Sequence, residues 1–489
     1  MSGGLSKSLI IKGLQCPKAL WLAKNPPDFD FPPRPDLQTK FQFGTDVGIL
    51  AQQLFPGGIE VPFEGLSFPA QLAWTKELID NGTQVIYEAS FSFSAIFVKV
   101  DILVRDGAGW QIHEVKMGTA VRPVNLDDVA VQQYVLNGCG LPISRSFLVH
   151  INNSYVRHGA LDVNKLFASV DISDKVVARQ QSIPEIVSEF RQAMREEISP
   201  GIDIGPHCTD PYECDYIPYC WRYVPENSIF DLRGNGIKTF DYYNRGVMKL
   251  EDLPLDDLNP AQRQQTEATL NQEDSLNPQG VKEFLNTLWY PLCHLDFETF
   301  NTPIPKFDDT RPYQQVPFQF SLHIQQRAGD EPQHFEFLAS SDGDPRRELI
   351  EQLLALIPEN ACILTYNQAF EKGVLRNLTE LFPDLAEAIK IRLANVRDLM
   401  VPFRRRDVYR WQMRGSYSIK EVLPAMVPDL SYAALEIADG MAAMQAYHDM
   451  CALEPGEEFD KLRQSMLDYC RMDTLAMVRI LRELVSLQA

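Results

Sequence analysis

The chain contains no uninterrupted apolar run approaching the roughly 18 residues that a membrane-spanning helix requires. Its opening residues, MSGGLSKSLIIKG, hold no apolar core long enough for a secretory leader, so a cytoplasmic protein with no membrane partner is expected. Net positive charge is also missing. The chain carries 66 Asp plus Glu against 46 Lys plus Arg, a formal charge of -20. That excludes a histone-like binder driven by bulk charge, but not a metal-dependent nuclease, which concentrates carboxylates and keeps its basic groove local. Low-complexity tracts and repeats with a period of about 20 to 50 residues are absent as well, which excludes solenoid architectures.

Cysteine is scarce, nine among 489 residues, yet three of the nine fall within HCTDPYECDYIPYCW, where Cys208, Cys214 and Cys220 recur at intervals of six. An intracellular chain seldom clusters cysteines for disulfides, so the candidate reasons are a metal ion or an iron-sulfur cluster, both held by thiolates. Context offers Cys16, in LQCPKALWL, as the fourth ligand. His207 stands beside Cys208 and keeps a Cys/His zinc site open as the alternative. The remaining cysteines, Cys139, Cys293, Cys362, Cys451 and Cys470, are expected to serve as small buried hydrophobes.

A chain of this length accommodates two or three domains. Residues 1–80 read as mostly helical, interrupted by the proline-rich PPDFDFPPRPD at 26–36. From Val85 the period changes to that of strands, with a tight turn at DGAG and a second strand in WQIHEVKM. A helix from about Leu126 to Asn137, a strand at 145–152 and an amphipathic helix near 184–197 lead to the cysteine triplet. After a polar stretch, strands and helices alternate again from LWYPLCHLDFETF to the long closing helix FDKLRQSMLDYCRMDTLAMVRILRELVSL. The fold class is α/β, with three expected segments: a domain at 1–225, a helical connector at 226–285 and a second domain at 286–489.

Two groups of carboxylates carry the chemistry. In the first domain Asp101 lies on one strand, while Glu114 and Lys116, two apart on the next, project from the same face. Two carboxylates hold Mg2+ or Mn2+ through oxygen, and a lysine beside them orients water or offsets charge on the phosphorane. Glu88 can join them from the preceding strand. On the following helix Asp128 and Gln132, four apart, share a face, which suits Gln132 to fixing a ligand or phosphate. In the second domain Asp296 and Glu298 share a strand face, Glu371 follows in NQAFE, and Tyr469 and Asp473 are four apart on the last helix. Four such acids hold two cations, with Tyr469 orienting the attacking water. Nearby, Arg404, Arg405, Arg406, Arg410, Arg414 and Lys420 interleave with Phe403, Tyr409, Trp411 and Tyr417, a pattern suited to single-stranded nucleic acid.

Asp101, the EVK of 114–116 and the Gln132 helix resemble the PD-(D/E)XK core of RecB-type nucleases. The split cysteines resemble those members that hold a [4Fe-4S] cluster as a staple. The order DxE, NQAFE and YCRMD resembles the DEDD (DnaQ-like) 3'-5' exonucleases of the ribonuclease H-like fold in their tyrosine version, with Asp398 similar to a further acid of that family. The whole order resembles a bacterial family of uncharacterised proteins in which the two modules are fused. The resemblance implies a restriction-endonuclease-like core stapled by Cys16, Cys208, Cys214 and Cys220, joined to a ribonuclease H-like domain. It implies a nuclease, expected to be an exonuclease, acting on DNA or RNA with DNA and single strands favoured; no protein partner is indicated. The alternative is a nucleic-acid-binding scaffold in a repair or defence complex with one or both sites inactive. It stays open because FGTDVG has no histidine at 47 or 48 and Glu371 stands where the family has Asp.

Overall fold

The computed structural model describes residues 4–32, 34–234, 238–340 and 343–488; Pro33 of the proline-rich interruption and residues 235–237 of the expected connector lie outside the described residues. Among the described residues no helix is long and apolar enough to cross a membrane. The chain is mixed α/β and forms two compact units. The first comprises the chain up to Tyr223 together with Thr302–Gln314, and the second comprises Val224–Asn301 and the chain from Gln315 onward.

These boundaries differ from those expected in two places. Residues 226–285, expected as a separate connector, cluster with the second unit. Their weak apolar periodicity has a physical cause: the helix Pro260–Asn271 buries mostly polar residues, Gln262, Gln265, Thr266 and Thr269 beside Ala268, and Nε2 of Gln265 donates to the carbonyls of Asp231 (2.8 Å) and Arg414 (3.1 Å). Residues 302–314, expected in the second domain, belong to the first unit, where Ile304 and Tyr313 pack on its core and the Tyr313 hydroxyl donates to the carbonyl of Met117.

The first unit opens with helices α1 (Lys7–Gln15), α2 (Pro17–Lys24) and α3 (Pro35–Ala51). Its sheet is built on β1 (Val85–Phe93), β2 (Ile96–Asp106) and β3 (Gly109–Lys116), an antiparallel meander. Strand β4 (Ile143–Ile151) then pairs parallel to β3, and β5 (Phe167–Asp171) pairs antiparallel to β4. Two-residue strands at Ile59–Glu60 and Leu5–Ser6 extend the sheet through β1 and β2. A parallel β3–β4 pair needs a crossover, and helix α4 (Pro123–Gly138) supplies it. Pro123 at the first helical position begins α4 three residues before the expected start. Residues all round α4 are buried, including Asp128, Gln132 and Gln133, so its polar groups have to find partners inside the unit. Helix α5 (Ile183–Ala193) packs against α4, α1 and α2.

In the second unit the sheet order is β8–β7–β6–β9–β10, from β6 (Leu292–Phe300), β7 (Val316–Gln325), β8 (Gln333–Leu338), β9 (Cys362–Thr365) and β10 (Val396–Asp398). Strand β7 is antiparallel to both neighbours, while β9 is parallel to β6 and β10. The main helices of this unit are α6 (Arg346–Leu356), α7 (Gln368–Leu381), α8 (Gly440–Ala452) and the long α9 (Glu457–Ser486). All ten residues of β7 are buried, because α6 and α9 both pack on it. Phe318 of β7 is fully buried and stacks on Tyr447 of α8 at 4.1 Å and on Phe300 at 6.3 Å. Phe318→Ala is therefore expected to lower stability by about 3–5 kcal/mol, measured by chemical denaturation, because no neighbour on so constrained a strand can close the cavity.

Candidate functional site

In the second unit, strand β6 presents Asp296 and Glu298 on one face, and α9 lays Tyr469 and Asp473 against it. One carboxylate oxygen from each of Asp296, Glu298 and Asp473 lies within 4.8 Å of the others. The register of α9 is set by Thr474, whose hydroxyl hydrogen-bonds Ser321 (2.7 Å) and His323 (2.8 Å) of β7. Glu371, in the first turn of α7, is buried with Oε2 lacking a hydrogen-bond partner, and its charge acts on Asp296. It is not one of the three converging acids. Asp398 acts through the backbone instead. Its Oδ1 accepts the amides of Asn367 and Met400, both at 3.0 Å, and so fixes the start of the helix that carries Glu371.

Three neighbours of these acids carry no mark in the sequence pattern. Tyr432 donates its hydroxyl to Oδ1 of Asp473 at 2.6 Å. Cys470, expected as a plain buried hydrophobe, places its thiol 3.8 Å from Oδ2 of Asp296. A Cβ on Gly440 would lie 3.5 Å from Oε2 of Glu298, so this carboxylate sits at the N-terminal end of α8, where the helix dipole favours negative charge. The helical i, i+4 spacing predicted Tyr469 with Asp473; no local period points to Tyr432 or Gly440.

Burial is the largest influence on every one of these acids. It raises Asp296 well above the usual carboxylate range, aided by Asp473, Glu298 and Glu371. It lifts Glu298 to about 8 and Glu371 to about 8. Asp473 rises to about 6, restrained by hydrogen bonds from Tyr432 and Tyr469 and by the charge of Lys420. Burial and the Asp473 charge also raise both tyrosines, which keeps them as hydroxyl donors.

The arginine-aromatic stretch is arranged differently from the expected stacking platform. Phe403 and Tyr409 are core residues, and Tyr417 is the exposed aromatic. Arg410 is paired with Asp274 at 2.5 Å, Arg405 lies 3.3 Å from Asp407, and Arg406 reaches Gln264 at 3.3 Å. Phe403 and Tyr409 thus turn into the core, while Arg404, Arg405 and Arg414 are exposed and Arg406 lies over the Tyr409 ring.

In the first unit β2, β3 and α4 bring Asp101, Glu114, Lys116, Asp128 and Gln132 together. Oδ2 of Asp101 accepts the amide of Val115 at 2.7 Å, just beyond the last paired residues of β2 and β3. Nε2 of Gln132 donates to Glu114 (2.6 Å) and Asp128 (3.1 Å), and Nζ of Lys116 reaches Glu114 (2.5 Å) and Asp128 (2.9 Å). Glu88, at positive φ, pairs with Lys99 at 3.1 Å, and its charge helps to raise Asp101. Gln133 accepts from Ser146, and Tyr134 packs on Phe93. Lys7, at the start of α1, has no signal in the sequence pattern, yet it contacts both Glu114 and Asp128. Burial raises Glu114 to about 7, with Asp101 and Asp128 adding to the effect. Burial also opposes the charge on Lys116, but Glu114, Asp128 and Asp101 outweigh it and hold this amine well above its usual value.

Cys16, Cys208, Cys214 and Cys220 line one cavity with apolar walls that include Ala19, Leu22 and Ile204; His207 lines it too. None of the four is in a disulfide. Burial pushes Cys214 up to about 11, with Cys16 and Cys208 contributing. The two cysteine-bearing segments are tied by Gln15, which donates to the carbonyls of His207 (2.9 Å) and Tyr212 (2.6 Å), and by a 2.5 Å ion pair between Lys12 and Asp215. Of the other cysteines, Cys293, Cys362 and Cys470 are buried as expected. Cys451 is half-buried, and Cys139 is exposed at the end of α4.

Residues 293–418 match a family described as a domain of unknown function, DUF2779. The match takes in Asp296, Glu298, Glu371 and Asp398. No curated protein matches the chain.

The raised carboxylates have a consequence for stability. Glu298 and Glu371 ordinarily titrate near 4.5 and Asp473 near 3.8, so between those values and about 8 the folded chain holds protons that the unfolded chain has released. Stability from these groups is present below about pH 4 and is lost as pH rises toward about 8. The thermal midpoint of the metal-free protein is expected to fall between about pH 5 and about pH 8, and Glu298→Gln is expected to flatten that fall. Thermal scans of both proteins across this range measure it.

Proposed function

We propose that the protein is a metal-dependent nuclease that hydrolyses phosphodiester bonds, with DNA favoured over RNA and single strands favoured over duplex. In this reading the second unit is a ribonuclease H-like exonuclease of the DEDD type, and the first is a RecB-like PD-(D/E)XK nuclease. The observation that carries the reading is the convergence of Asp296, Glu298 and Asp473 within 4.8 Å, with an unpartnered buried oxygen of Glu371 close by. Carboxylates are the donors that hard divalent cations take, and burying several together without a counter-charge is unfavourable, so this set fits Mg2+ or Mn2+. Such cations supply a water of lowered pKa and offset charge on the phosphate oxygens.

The chain's own residues divide the rest of the work. Asp296, Glu298, Glu371 and Asp473 hold the charge. Tyr469 keeps its proton and orients the attacking water, and Tyr432 fixes the rotamer of Asp473. In the first unit Asp101 and Glu114 form the cation side, Lys116 faces the phosphate, and Gln132 holds Glu114 and Asp128 in register. Four thiols around one apolar-walled cavity fit a [4Fe-4S] cluster as a structural staple, with zinc as the alternative because His207 lines the same cavity. A second reading, a nucleic-acid-binding scaffold, is favoured for the first unit by one observation: the oxygens of Glu114 and Asp128 already accept from lysines and Gln132.

Labelled single- and double-stranded DNA and RNA, incubated with Mn2+ and anaerobically purified protein, test the proposal. Glu114→Ala and Asp473→Ala are each expected to lower cleavage by their own site by about a hundredfold or more, since even outer-shell changes at metal sites cost up to that factor. Cleavage indifferent to both changes would sink the assignment, and no cleavage of any substrate would favour the scaffold. Cys214→Ala is expected to lose bound iron and the folding of the first unit while leaving the second unit intact, as read by metal analysis and limited proteolysis. Stoichiometric zinc in place of iron would reverse the choice of group.

A further inference from the structure

We propose that Lys7 is a built-in counter-cation of the first carboxylate site, an ammonium that pairs with Glu114 and its neighbour Asp128 in place of a divalent cation and withdraws when such a cation binds Asp101 and Glu114. The inference rests on reading this site as a cation site. Nζ of Lys7 lies 3.1 Å from Oε1 of Glu114 and 2.9 Å from Oδ1 of Asp128. Lys116 reaches the same Oε1 of Glu114 and the other oxygen of Asp128, and Gln132 donates to Oε2 of Glu114 and Oδ1 of Asp128. Every oxygen of these two carboxylates therefore has a donor from the protein. Oε1 of Glu114 already carries two donors, Lys7 and Lys116, so a divalent cation takes that oxygen only by displacing one of them.

Charge and attachment single out Lys7 as the group that leaves. With all three carboxylates ionised, as cation binding requires, Asp101, Glu114 and Asp128 against Lys7 and Lys116 carry a formal charge of minus one. Adding a divalent cation to all five groups leaves the buried site at plus one, whereas adding it with Lys7 withdrawn brings the site to zero. An uncompensated buried charge is costly, so the second arrangement is favoured. Lys116 sits on the same strand as Glu114 and is aligned with it by the sheet. Lys7 enters from a separate element, α1, and its ion-pair partners among the described residues are Glu114 and Asp128. The side chains of Lys7 and Lys116 are 22% and 31% exposed, so either stem has a route to water, and it is attachment to a separate element that distinguishes Lys7.

The test acetylates the amines of the full-length protein with and without Mn2+ and reads each lysine by mass spectrometry. Asp296→Asn with Asp473→Asn serves as the background, so that the second site does not take the ion. Lys7 is expected to be protected without Mn2+ and about tenfold more reactive at saturating Mn2+, and Lys7→Met is expected to bind Mn2+ about tenfold more tightly by calorimetry, because an internal competitor has been removed. Lys7→Arg should keep the weaker binding. Glu114-dependent Mn2+ binding with Lys7 unchanged in reactivity, or with Lys116 exposed instead, overturns the inference and leaves the cation-site reading standing. No Glu114-dependent binding in either the parent or Lys7→Met overturns both. If thermal scans show that Lys7→Met does not fold, the labelling of the parent decides alone.

Discussion

Carboxylates buried side by side repel one another, and most of what surrounds them in each unit is an answer to that repulsion. In the first unit the answer is internal. Lys7 and Lys116 stand between Glu114 and Asp128, and Gln132 spends both protons of its amide on the same pair. In the second unit Asp296, Glu298 and Asp473 converge with weaker compensation: two tyrosine hydroxyls, a thiol, the end of a helix and the field of Lys420. Hydroxyl and thiol dipoles stabilise a carboxylate less than a full opposite charge does. Asp128, paired with both lysines, is held below the usual range, whereas burial lifts Glu298 and Glu371 to about 8 and still lifts Glu114, which shares those lysines, to about 7.

The scaffold makes this crowding possible by anchoring each carboxylate from behind. Thr474 locks the long closing helix onto β7 through Ser321 and His323. Asp398 holds the start of the helix bearing Glu371. Val115 holds Asp101, and the helix crossing from β3 to β4 is buried all round, so Asp128 and Gln132 cannot turn to water. The first helix has a comparable double duty: Lys7 is its first residue, and Cys16, beside the thiol cavity, directly follows its last. Its position is thus constrained from both ends, by ion pairs at one and by the contacts of Lys12 and Gln15 at the other.

Features that repeat with the period of the backbone were legible in the sequence. Alternation along a strand puts Asp296 with Glu298 and Glu114 with Lys116, and a helical turn puts Asp128 with Gln132 and Tyr469 with Asp473. The helix ahead of β4 was legible in type, though its start at Pro123 was not. The interleaved arginines and aromatics misled, because the short elements from 401 to 413 send Phe403 and Tyr409 into the core.

By itself, then, the sequence determined the α/β class, the two groups of acids and the four cysteines, because each is a matter of residue type at a local spacing that strand and helix geometry enforces. Tertiary structure alone decided that Lys7 meets Glu114 across 107 positions, that Tyr432 meets Asp473 across 41, that Cys470 turns its thiol to Asp296, and that residues 302–314 belong to the first unit. No local period relates such positions. They meet because a buried charge must be answered by whatever group the packing brings within reach, and that group can come from anywhere in the chain.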